Sequence, residues 1–158
     1  MSDRASQRQV LSFRLGNEIY GVDILAVKEI RGWAPVTRIP HAAAHVLGVL
    51  NLRGAIVPIV DLRRRFRLAS AEFTAQTVVI VVSLATPAGQ RECGLVVDAV
   101  SDVVDLAADA LRAPPEISTP EQADLIAGLA QVDDRMLILL DAMRLVVREL
   151  AGAAEKAA

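Results

Sequence analysis

Two histidines, His41 and His45, stand four residues apart just after Pro40. On a helical turn that spacing puts both rings on one side, as two metal ligands require. A site needs a third ligand, and neither the alanines between them nor the VLGVLN that follows supplies one. Two solvated histidines on a turn after proline are the plainer account. A serine nucleophile would need one of them as its base, and no serine stands in a G-x-S-x-G setting. The lone thiol, Cys93, lies in strand-like apolar surroundings and reads as a small buried hydrophobe; it excludes an internal disulfide and a Cys-rich zinc site. No glycine-rich phosphate loop is present. Asp98, Asp102, Asp105 and Asp109 are spaced by three and four, but the strand alternation around the first two splays them, so solvated edges are expected. Arg63, Arg64, Arg65 and Arg67 form the one dense basic run. With 3% aromatic residues and a net charge of −2, that run reads as a wet helix face rather than a nucleic-acid groove. No piece of a catalytic mechanism is assembled; the expectation is a protein without enzymatic activity, cofactor or metal.

Another signal remains. Within otherwise apolar strand-like stretches, Val27 and Glu29 fall on one face with Ile30 opposite, and Asn51 and Arg53 share a face with Leu50 and Leu52 opposite. A charge inside such a stretch usually has a partner, and Glu29 and Arg53 form a plausible pair on neighbouring strands. As an exposed pair it is worth ~0–1 kcal/mol.

The elements that would carry these residues are mainly strands. Leu11, Phe13 and Leu15 alternate with Ser12 and Arg14, Gly16-Asn17 is a two-residue turn, and Tyr20, Val22 and Ile24 fall on one face; the chain opens with a β-hairpin. Further strands are expected at 27–31, 49–53, 56–60, 77–84, 91–98, 100–104 and 136–140. Pro58 should sit at an edge or bulge, and Asp61 can cap a short helix LRRRF. Residues 67–76 read as a linker and Ala85–Gln90 as a loop. Met136–Leu140 should be buried on both faces. Met143, Val146, Val147 and Leu150 have helical spacing.

With 158 residues, 53% of them apolar, the chain can bury a core built from Val, Leu, Ile and Ala. Seventeen basic against 19 acidic residues give no field that would attract nucleic acid or an anionic membrane. No apolar run reaches transmembrane length. The segment MSDRASQRQ is polar, so no secretory signal is expected and a reducing, cytosolic address is the default. GVDILAVKEI overlies GLVVDAVSDV at an offset of 73, and GVLNLRGAIVPIVDL overlies GLAQVDDRMLILLDA at an offset of 80. Two segments agreeing in order point to an internal repeat, hence two small β-barrels side by side with a groove between them.

The stretches LSFRLGNEIYGVDILAVKEIRGW, VTRIP, GVLNLRGAIVPIVDLRRRF, CGLVVDAVSDV and LIAGLAQVDDRMLILLDA resemble the CheW family of bacterial chemotaxis coupling proteins. The resemblance runs from about Val10 to Leu150. It implies an all-β fold of two five-stranded SH3-like barrels, with short helices and a C-terminal helix. The implied division is a flexible tail at 1–9, a first barrel at about 10–70, a second at about 77–140, a helix at 141–150 and a frayed end at 151–158. It implies no catalysis and no cofactor, but an adaptor between the cytoplasmic helical hairpins of chemoreceptors and the regulatory domain of the histidine kinase CheA. Such an adaptor would be cytoplasmic and recruited to receptor arrays at the inner face of the membrane, without inserting into it and without binding nucleic acid. Carried over position by position, receptor binding would fall to Val27, Glu29, Arg53 and Val100. Kinase binding would fall to Val46 and Leu47, with a second contact from Arg112, Glu116 and Ile117. Cys93 departs from the family pattern, where an aliphatic residue is commoner, and the loop Ala85–Gln90 looks long. Two other classes stay in view: a β-barrel module for some other peptide or an oligonucleotide, and a metal hydrolase centred on His41 and His45.

Overall fold

The computed structural model describes residues 7–40, 46–66, 68, 72–87, 89–113 and 125–148. Ten strands run through them: β1 Gln7–Leu15, β2 Glu18–Asp23, β3 Val27–Gly32, β4 Val46–Leu52, β5 Ala55–Asp61, β6 Val78–Thr86, β7 Gly89–Val97, β8 Ala99–Ala107, β9 Ile126–Val132 and β10 Arg135–Leu140. They form two five-stranded sheets, sheet A in the order β8-β1-β2-β10-β9 and sheet B in the order β3-β6-β7-β5-β4. Each sheet closes on itself. The chain after β3 bridges to β4 at Thr37–Val49, and the chain after β8 bridges to β9 at Arg112–Leu129.

The all-β architecture agrees with the sequence; the division into an N-terminal and a C-terminal barrel does not. Sheet A takes β1 and β2 from the first half and β8, β9 and β10 from the second, while sheet B takes the rest. The repeat itself is real: advancing five strands carries one sheet order onto the other. The physical cause of the mixing is that each half gives its opening hairpin to the other half's sheet. There β2 lies parallel to β10, and β7 parallel to β5. The repeated turns match as well. Arg53 and Gly54 have φ of 56° and 89°, and their counterparts Asp133 and Asp134 have 46° and 65°. Both are two-residue hairpin loops of the primed kind, with Leu52 opposite Ala55 and Val132 opposite Arg135.

Three apolar clusters result. One fills each barrel: Leu52, Val57, Ile59, Val79, Val81 and Val96 in sheet B, and Val10, Leu106, Ala130, Leu137 and Leu139 in sheet A. The third and largest lies where the sheets face each other, with Leu11, Phe13, Tyr20 and Val22 from sheet A against Ile80, Val82, Cys93 and Leu95 from sheet B. Cys93 is buried there, as a small hydrophobe should be.

Several local expectations need correction. Strand β1 starts at Gln7 and pairs with β8 as far as Ala107, so residues 7–9 are not a tail. The loop at 85–90 is a tight hairpin, because Ala85 pairs with Gln90 and Thr86 with Gly89. Pro58 lies in an interior strand, yet the ladder from β5 to β7 begins only at Ile59, so its missing N–H falls where β5 has one neighbour. Met136 is 50% exposed although the rest of its run is covered. Residues 142–148 are helical, but the covered stripe is Ala142, Leu145 and Val146; Met143 and Val147 face outward. β9 went unseen in the sequence except as the shadow of β4 in the repeat.

Candidate functional site

The third strand of each repeat sits at an edge of its sheet, and each contains a β-bulge. The register of β3 against β6 shifts between Val27 and Glu29; that of β8 against β1 shifts between Asp102 and Val100. A bulge adds one residue and so reverses the alternation beyond it. Val27 lies opposite Val82 and packs on the core between the sheets, and Ile30 lies opposite Ile80 of the same core. Glu29 lies opposite Val81, which belongs to the interior of barrel B. The expected face-sharing of Val27 with Glu29 is therefore wrong; the bulge at Lys28 separates them and returns Ile30 to the side of Val27.

The second repeat has the same arrangement. Val100 lies opposite Phe13 and packs on the shared core, and Val103 lies opposite Leu11. Ile30 and Val103, 46% and 47% exposed, thus extend the seam beyond Val27 and Val100. Neither was among the residues expected to bind a partner. The offset of 73 aligns them and was the signal that could have found them.

Glu29 and Arg53 do meet, with carboxylate and guanidinium 3.8 Å apart, and Arg31 approaches the same carboxylate at 3.7 Å. They are not on adjacent strands. β3 and β4 are the two edges of sheet B, brought together by closure of the barrel, and Arg53 sits in the turn beyond β4. Its side chain is 77% exposed, so the pair adds little stability and presents charge to solvent.

Val46 and Leu47 begin β4. Val46 is buried in the core between the sheets, while Leu47 packs, partly exposed, at the border of the barrel B core. Arg112 is exposed beside its bridge to Leu129 in sheet A. The two expected kinase contacts therefore start from different sheets. Glu116, Ile117, His41 and His45 lie outside the described residues.

A second polar cluster contradicts the reading of the arginine run and of Asp98 as solvated. Arg63 is fully buried. Its guanidinium donates to Asp61 at 2.9 and 3.0 Å, to Asp98 at 3.1 Å and to the Glu72 carbonyl, and it lies 4.9 Å from the Phe73 ring centroid. Burial works against its charge, but hydrogen bonds and charge from Asp61, then Asp98, outweigh this and hold the guanidinium above its ordinary pKa. Asp98 also accepts the Gly16 N–H at 2.7 Å. Through Arg63 the end of β5 in sheet B is tied to the β1–β2 turn of sheet A. This cluster fastens the two sheets; the accessible surface lies at the seam.

Among the described residues, no group of three or more His, Cys, Asp or Glu is placed to hold a metal ion, and no helix is long and apolar enough to cross a membrane. Residues 9–150 match the CheW-like domain family. The chain is 46% identical over 142 residues to a chemotaxis protein CheW of Klebsiella aerogenes, covering 90% of this chain and 83% of that one. It is 40% identical over 134 residues to a probable chemotaxis protein CheW of Rhizobium etli, covering 85% and 84%. A crystal structure of the scaffolding protein TtCheW from Thermoanaerobacter tengcongensis superimposes with a TM-score of 0.78 at 30% identity, covering 87% of this chain and 86% of that one. With its two exchanged five-stranded sheets and a family match over nearly its whole length, this chain belongs to the CheW-like domain family.

Proposed function

We propose that this chain is a non-catalytic adaptor that couples the cytoplasmic tips of chemoreceptors to the histidine kinase CheA, acting in the cytoplasm at receptor arrays. The observation that carries the reading is the seam between the sheets, where Val27, Ile30, Val100 and Val103 present apolar surface beside the charged Glu29–Arg53 pair. An apolar strip bordered by charge suits the apolar side of a partner helix, the helix-in-groove mode. The receptor hairpin is that helix in this reading. Val27, Val100 and the Glu29–Arg53 pair are its contacts, and Leu47 and Arg112, with Glu116 and Ile117, serve the kinase. The chemistry asked of the protein is binding alone. Affinity per contact is modest, and repetition in an array supplies the rest through effective concentration.

The test is a binding assay with receptor-tip and kinase fragments. Arg53→Ala should weaken receptor binding roughly threefold to tenfold with the fold intact by circular dichroism, since a rim residue is rarely a hot spot. Leu47→Asp should abolish kinase binding while sparing the receptor. Unchanged binding in both variants refutes the assignment.

A further inference from the structure

Arg53 stands in a backbone conformation that its side chain does not favour. It is the first residue of the two-residue turn between β4 and β5, with φ of 56°, and Gly54 follows at 89°. Turns of this primed kind prefer Asn, Asp or Gly at that first position, and the counterpart turn of barrel A has Asp133 there. Arginine in the left-handed region is strained, and strain kept at one position points to what its side chain does there.

The guanidinium does not hold the turn in that state. Its approach to the Glu29 carboxylate, 3.8 Å, is longer than a hydrogen bond, Arg31 shares the same carboxylate at 3.7 Å, and the Arg53 side chain is 77% exposed. The hold comes from Asn51, two residues earlier. Asn51 lies opposite Ile56 in the ladder, and its Oδ1 accepts the Gly54 N–H at 2.9 Å. One side chain thus closes a ring around Leu52 and Arg53, from the end of β4 to the second residue of the turn. At the offset of 80 the counterpart of Asn51 is Gln131, one methylene longer, and among the described residues it makes no bond to its own turn. The device belongs to the barrel whose turn carries a cation.

We propose that Asn51 is a positioning residue for partner recognition. It holds Arg53 in the left-handed conformation that aims the guanidinium across the mouth of barrel B toward Glu29, so that the partner helix meets an ordered cation beside the seam. Without this bond the turn samples other conformations, and the partner must order Arg53 as it binds, a cost that falls on affinity. Asn51 acts through Arg53 and touches no partner itself. The inference rests on the reading of Arg53 as a receptor contact.

The experiment has two arms on the full chain. The first reads the free protein by NMR. In Asn51→Ala the Gly54 N–H should exchange about three- to tenfold faster, the worth of one hydrogen bond, and the Arg53 amide coupling should leave its positive-φ value. Asn51→Asp keeps an acceptor oxygen and should behave as wild type. A turn unchanged in Asn51→Ala overturns the proposal. The second is a binding cycle with a receptor-tip fragment, using Arg53→Asn as the partner variant, because asparagine tolerates positive φ and only the guanidinium is lost. Asn51→Ala should weaken binding about two- to fourfold, the cost of ordering one long side chain, and Asn51→Asp should restore it. In the Arg53→Asn background, Asn51→Ala should change nothing further. An equal loss in both backgrounds makes Asn51 a structural residue and overturns the proposal. Arg53→Asn binding as tightly as wild type overturns the receptor reading of Arg53 itself, a failure that the exchange arm does not share.

Discussion

Arg63 is the largest fully buried side chain of the described residues, and its position explains why a run of four arginines misleads. Arg64, its neighbour, keeps a 46% exposed side chain and reaches Asp61 only at 3.8 Å. What distinguishes Arg63 is Asp61 two residues earlier and Asp98 thirty-five later, and the second cannot be read from a linear pattern. Removing the guanidinium would strand the fully buried Asp61 carboxylate. Arg63→Ala should therefore cost about 3–5 kcal/mol, whereas Arg64→Ala should stay within about 0.5 kcal/mol; urea denaturation of both separates the cases. Tyr20 gives a pH test. Burial, aided by Glu18, pushes its phenol above the ordinary value of 10.0. The unfolded chain then ionises first, so this part of the stability is full below pH 10.0 and is lost as pH rises through the folded value. Tyr20→Phe keeps the stacking on Phe13 and Phe66 and should lose less stability than wild type on alkaline titration. Equal losses would refute the assignment.

At the level of elements, the strands were legible wherever alternation was clean, and the bulges were not. Nothing in VKEIR shows that Lys28 is the extra residue; the shift is imposed by pairing with β6, a partner some fifty residues away. The same blindness hid the bulge between Val46 and Gly48 on β4, where the chain passes against its bridge partner. Gly48 has φ of 151°, and a Cβ there would stand 2.1 Å from the Thr37 carbonyl oxygen, which is backbone and cannot give way. Gly54, with φ of 89°, has nothing within 4 Å of that position. Gly48→Ala should thus cost more than about 3 kcal/mol, or prevent folding, while Gly54→Ala carries only the strain of its dihedral, about 1–2 kcal/mol. Thermal melts would check the order. The aromatics were equally opaque. All five lie in two stacks, Phe13–Tyr20–Phe66 and Trp33–Phe73, each joining segments far apart in the chain.

For the whole molecule, the consequence of the exchanged hairpins is that neither half of the chain owns a complete sheet. The first half holds two strands of sheet A and three of sheet B, and the second half the reverse. Sheet A is whole only once pairs such as Ser12 with Asp102, 90 residues apart, have formed, and sheet B only once Val27 has met Val82 and Ile59 has met Gly94. Two- and three-stranded pieces without their packing partners are marginal in water, and pairing at such separation is slow to nucleate. Cutting the chain at residue 70, within the expected linker, therefore tests the topology itself. Were the barrels consecutive, each fragment would fold alone and show its own cooperative transition. With the hairpins exchanged, fragments 1–70 and 71–158 should each lack a cooperative transition, and mixing them should restore the β spectrum in a one-to-one complex. Its stability should depend on concentration, because the cut turns an intramolecular pairing into a bimolecular one. A cooperative melt from either fragment alone would be incompatible with the strand order β8-β1-β2-β10-β9.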